Sequence, residues 1–159
     1  MKRIICLICA AALCLSLCAC GKPSEAIDMQ ALEKSMLEAD KSLPEMKISG
    51  SWDENAEKAF SYISDMEYNK IRGFFIAYAA DGMAYEIAVV QLKEQNDVVE
   101  LGVSLSKHVD SRVQMYKTYE PDQVERAQNA TIKTIGDCVL LIMCDGQQNV
   151  ETAFKNFTK

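Results

Sequence analysis

Residues 138–144 (CVLLIMC) are apolar without a break. A strand points successive side chains to opposite faces, so this one would be apolar on both and needs cover on both. That places it in the middle of a sheet with other elements packed above and below. The rest of the chain must supply strands to flank it and amphipathic helices to cover it.

Three further segments have strand character. Residues 130–135 precede it across Gly136-Asp137, a tight-turn pair that makes a hairpin. Residues 72–79 (RGFFIAYA) and 84–93 (AYEIAVVQLK) flank the turn signal Ala80-Asp81-Gly82 and form another. Helices are expected elsewhere. Asp28 can cap a first helix to about Asp40, with Met29, Leu32 and Met36 on one face. Pro44 and Gly50 then break the chain. Ser51 and Glu54 have capping-box spacing ahead of Ala56, Ala59, Phe60 and Ile63. Asp97 and Glu100 can cap the longest helix, whose apolar face runs from Val98 to Tyr116 at steps of three and four. It ends near Tyr119 and is about 34 Å long at 1.5 Å per residue. Glu120-Pro121 suits a short helix to about Ala127, and Asn149 can cap a terminal helix carrying Val150, Ala153, Phe154 and Phe157. The expectation is an α+β fold: a four-stranded antiparallel sheet from two hairpins joined by the long helix, in order 1-2-4-3, with the terminal helices packed on it.

The start of the chain belongs to no such fold. Met1-Lys2-Arg3 is basic, and residues 4–19 are apolar apart from Ser16. Sixteen helical residues reach roughly 24 Å, short of the ~30 Å hydrocarbon core, which suits a secretory signal better than a permanent span. The signal ends Leu17-Cys18-Ala19-Cys20, which resembles a bacterial lipobox. By that resemblance residues 1–19 are removed and Cys20 carries a thioether-linked diacylglycerol, whose two acyl chains give stable anchorage where one alone is marginal. Residues 20–27 then form a lipidated cysteine and short tether, with a mean reach of about 13 Å, and 28–159 a single domain.

Of 159 residues 49% are apolar and 25% charged, the balance of a folded chain. Setting aside Lys2 and Arg3 leaves 15 basic against 23 acidic residues, a net charge of −8, which disfavours nucleic acid as a partner. Five of the seven cysteines lie in the first twenty residues. Cys138 and Cys144, on one strand, would be about 20 Å apart at ~3.3 Å per residue, whereas a disulfide spans at most about 6.8 Å. They are expected as free, buried thiols on one face with Leu140 and Ile142.

The layout resembles the bacterial lipoprotein family known as domain of unknown function 4358. The landmarks are the lipobox, the strand at 85–90 (YEIAVV), the long helix ending in YKTYEP (116–121), the hairpin at 129–145 (NATIKTIGDCVLLIMCD) and a Phe-containing terminal helix. The resemblance implies a secreted lipoprotein of clostridial-type bacteria. It carries over no catalytic residue.

Signs of chemistry are sparse. His108 is the only histidine, so any Ser-His-Asp or Cys-His arrangement would have to use it; within a periodic helix it also reads as a polar boundary residue. No metal-ligand spacing, GxGxxG or P-loop is present, and neither a metal nor a cofactor is expected. Glu86 interrupts an apolar strand. It could serve as a general acid or base, or contact a ligand; it could equally be structural, paired to Lys, Arg or a backbone amide. With no catalytic residue assigned, the expected function is a non-enzymatic binding domain on the outer face of the cell membrane. It would be anchored through Cys20 and could engage an envelope protein. The alternative is a small envelope enzyme using Glu86.

Overall fold

Asp28 Oδ1 accepts a hydrogen bond from the Ala31 amide (3.0 Å) and caps helix α1 (Met29–Glu38). It lies near the start of residues 25–159, which this computed structural model describes. The signal segment, Cys20 and the tether up to residue 24 lie outside the described residues.

The sheet has five strands: β1 (Met46–Gly50), β2 (Ile71–Ala79), β3 (Glu86–Leu92), β4 (Thr131–Ile135) and β5 (Cys138–Met143). They pair antiparallel in the order β1-β2-β3-β5-β4. This corrects the expected four-stranded sheet of order 1-2-4-3. The strand that expectation lacked, β1, sits between Pro44 and Gly50, residues that signal a break. It is an edge strand with Lys47 and Ile48 exposed, so it shows no clean apolar alternation. Its pairing with β2, from Met46 opposite Ala79 to Gly50 opposite Phe75, is a contact distant in sequence.

The sheet is covered on both faces. The long helix α3 (Val98–Tyr119) sets Leu101 and Leu105 against Phe74, Ala88, Val90 and Leu141. On the other face α1 and the terminal helix α5 (Gln147–Phe157) cover Phe75, Ile87, Val89 and Leu140. Every residue of β3 and β5 is buried as a result. Among the described residues there are also two short α-helices, α2 (Ala56–Phe60) on β1 and α4 (Val124–Gln128) before β4. At the β4–β5 turn Gly136 has φ +62°, while among the described residues no non-glycine residue has positive φ. That matches a type II′ hairpin, which calls for glycine first.

Three expected caps are replaced by other contacts. Ser51 and Glu54 form no capping box: the Ser51 hydroxyl accepts from the Phe74 amide (2.6 Å), locking β1's end to β2. The N-terminal position of α2 is Asn55, which makes no side-chain cap bond. Asp97 likewise makes none for α3, since Lys70 Nζ bridges Asp97 (3.4 Å) and Glu100 (2.7 Å). Asn149 lies inside α5, whose start at Gly146 is met by Asp40 Oδ2, accepting from the Gly146 amide (2.8 Å) across 106 positions of chain. A Cβ on Gly146 would lie 2.5 Å from the Asp40 carboxyl carbon, so this approach requires glycine. Burial pushes Asp40 up, but hydrogen bonds from Ser42, Gly146 and Cys144 outweigh it and hold the carboxyl below its ordinary range.

Cys138 and Cys144 are free and buried, in one cluster with Leu140 and Ile142, as their even spacing predicts. Burial first, then the Asp137 carboxylate for Cys138 and the Asp40 carboxylate for Cys144, pushes both thiols up to about 12.

Candidate functional site

Glu86 opens β3, opposite Tyr78 on β2 and Met143 on β5. It shares strand parity with Ala88 and Val90, so its side chain points to the α3 face, and it is 0% exposed. There α3 presents His108 and Arg112, one turn apart on one side of the helix. His108 Nε2 lies 2.8 Å from Glu86 Oε1. Arg112 Nε lies 3.8 Å from Glu86 Oε2, an ion pair without a hydrogen bond, and both atoms are buried. A carboxylate taken out of water needs such countercharge.

The same helical row continues to Tyr116, 0% exposed, whose hydroxyl accepts from Arg112 Nη2 and donates to the Gly82 carbonyl (3.0 Å). The Arg112 guanidinium also lies 4.8 Å from the Tyr116 ring centroid. Burial pushes the Tyr116 phenol up to about 12, so it remains a neutral donor. Tyr116 is thus part of the packed helix end, whereas Tyr119 is 76% exposed.

His108 borders a shallow open groove of about 300 Å³, together with Tyr62, Ser64, Asp65, Ser104 and Ser111. The Tyr62 ring meets the imidazole edge-on at 5.3 Å. Burial and the Glu86 charge push the Tyr62 phenol up. The hydroxyls around the groove point elsewhere. Ser64 donates to Ser104 (2.9 Å), Ser104 to Asp65 Oδ1 (2.7 Å) and Ser111 to the Lys107 carbonyl (3.0 Å). A histidine oriented by a carboxylate is one half of a nucleophile-activating pair; none of these hydroxyls is bonded to His108 to form the other half.

Of the two polar residues singled out from sequence, Glu86 and His108, the fold makes one pair. The sequence reading took them separately because their partnership crosses from strand to helix. The i, i+4, i+8 spacing of His108, Arg112 and Tyr116 was the available signal for a polar helical row. Gln91, near the end of the same apolar strand as Glu86, carries no sequence signal of its partners. It is 1% exposed, and its Oε1 accepts from the Ile27 amide (3.0 Å). Its Nε2 donates to the Glu25 carbonyl (2.8 Å) and to Asp137 Oδ2 (3.0 Å). Tyr85 and Asp145, landmarks of the resemblance, meet through Arg126. Its Nε lies 2.9 Å from Asp145 Oδ1, its guanidinium stacks 4.1 Å from the Tyr85 ring centroid, and the Tyr85 hydroxyl donates to Asp145 Oδ2 (3.0 Å).

Among the described residues no group of three His, Cys, Asp or Glu is placed to hold a metal ion, and no helix is long and apolar enough to cross a membrane. Cys20, the expected lipidation site, lies outside the described residues.

A protein family described as "Domain of unknown function (DUF4358)" matches residues 48–144. The match covers more than half of the chain, and the chain belongs to this family. It takes in Glu86, His108, Arg112 and Gln91, and leaves out α1, α5 and the lipobox-like segment. No curated protein and no solved structure matches the chain.

Proposed function

We propose that this member of the family is a membrane-anchored lipoprotein of clostridial-type bacteria, held on the extracytoplasmic face through Cys20, whose folded domain binds a partner at the cell envelope without turning over a substrate. The anchor rests on the basic start, the short apolar stretch and the Leu17-Cys18-Ala19-Cys20 ending. Binding without turnover rests on one observation: the Glu86 carboxylate is fully enclosed and held by His108 and Arg112. An acid or base must reach the proton it moves; here the carboxylate is already committed to the fold.

One contact favours the alternative, a small envelope enzyme. At 2.8 Å, His108 and Glu86 have the geometry of a base and the group that orients it, beside an open groove. Glu86→Gln separates the two readings, since it keeps side-chain size and removes the charge. Under the binding reading a photo-crosslinker at Tyr62 captures the same envelope component from native membranes in both proteins. A hydrolytic or transfer activity of the wild type that vanishes in a folded Glu86→Gln protein establishes the enzyme instead. For the anchor, Cys20→Ala is expected to move the protein from the detergent phase to the aqueous phase or leave an uncleaved precursor. Unchanged mass and membrane partition would exclude lipidation at Cys20.

A further inference from the structure

Residues 25–27 are neither helix nor strand, yet they are held in place. Their backbone is bonded to Gln91, a buried residue of the central strand β3, and Ile27 packs against the core under α1 and α5. The hold lies at one end of the sheet. Gln91 is opposite Cys138, beside the β4–β5 turn, and the Lys93 amide just beyond it donates to the Lys70 carbonyl where β2 begins (2.9 Å).

Helix α3 runs from this end to the other. It starts where Lys70 bridges Asp97 and Glu100, and it finishes where the Tyr116 hydroxyl meets the Gly82 carbonyl. Val99 near its start is 72% exposed and Tyr119 at its finish is 76% exposed. They are about 30 Å apart at 1.5 Å per residue.

The path from Cys20 to Glu25 is five residues, no more than about 18 Å of chain. We infer that the Gln91 clamp makes the lipid anchor an orienting device: the end bearing the β4–β5 turn and the start of α3 faces the lipid surface, and the end bearing Gly82 and Tyr119 faces away. The inference rests on the lipoprotein reading above. A tether leaving from a loose loop would let the domain tumble. Here the leash leaves from a point bonded to the central strand, and it is shorter than α3. His108 lies midway along α3, so its groove opens to the side.

The test uses the protein as processed in and purified from its native membrane, bound to phosphatidylcholine vesicles containing a nitroxide-headgroup lipid. Val99→Cys and Tyr119→Cys are made separately and labelled with a thiol-reactive fluorophore; Cys138 and Cys144 are buried. The Val99 label is expected to be quenched several-fold more than the Tyr119 label. Equal or reversed quenching overturns the orientation. A long Gly/Ser insertion after Gly21 is expected to bring the two labels together, and a contrast that survives it shows that the clamp and short leash are not its cause. The mass of Cys20 in the same sample keeps the two ideas apart. An unmodified Cys20 overturns the lipoprotein reading and the orientation with it, whereas lipidated protein with equal quenching overturns the orientation alone.

Discussion

At its two ends strand β3 buries a charge and an amide. Glu86 and Gln91 are five positions apart, an odd number, so they point to opposite faces of the sheet. Glu86 meets the long helix, and Gln91 meets the start of the described chain. The difference follows from what each group needs in order to leave water. A carboxylate needs a countercharge and a close polar partner, which a regular helix supplies from Arg112 and His108, one turn apart. An amide has both donors and an acceptor, so two backbone groups and one side chain satisfy it. Its partners can therefore belong to a segment with no regular structure. The charged end is locked to the longest helix of the described residues, while the neutral end holds the chain that leads to Cys20.

Removing the charge should have the largest effect. Glu86→Ala leaves His108 and Arg112 facing a cavity and is expected to cost about 3–5 kcal/mol, read as a shift in urea midpoint at constant slope. A loss below about 1 kcal/mol, the value typical of exposed pairs, would mean that the charged end is not special. Gln91→Ala should cost about 1–3 kcal/mol, because the Ile27 amide and Glu25 carbonyl lose their partner. Its distinctive mark is faster hydrogen exchange at the Ile27 amide with protection in β3 retained. Protection at Ile27 that survives the substitution would show that the core, not the amide, holds the segment.

The thiols give the smallest and most graded comparison, since Cys138 lies at the Gln91 end and Cys144 beyond the Glu86 end. In the unfolded chain both ionise near ~8.5, whereas in the folded protein both are pushed up to about 12. Between those values the unfolded state sheds protons that the folded state keeps. The contribution of each thiol is therefore full below ~8.5 and declines as pH rises, by at most about 1.4 kcal/mol per pH unit. Cys138→Ala and Cys144→Ala should each flatten the alkaline decline of the urea midpoint, and equal flattening would show that the two ends are equally closed to water. A decline unchanged by either substitution would assign it to other groups.

Much of the fold was legible because it is local. The α+β class, the two hairpins, the long helix and the buried face of Cys138, Leu140, Ile142 and Cys144 follow from periodicity that a few neighbouring residues carry. Edge strand β1 was not legible, since its only strong partner, β2, lies more than twenty positions away. Asp28 caps α1 as expected, but the other three caps failed for the same reason. Ser51, Asp97 and Asn149 have the right chemistry at the right spacing, but Ser51 found Phe74, Asp97 found Lys70, and the start of α5 is met by Asp40.

The candidate site divides along the same line. By itself the sequence marked Glu86 as out of place in an apolar strand and His108 as the chain's single imidazole. Only the tertiary structure decided that they touch, that Arg112 completes the charge balance and that Gln91 grips the tether. A hydrophobic period is set by backbone geometry within one element, whereas the partner of a buried polar group is set by which elements the packing brings together.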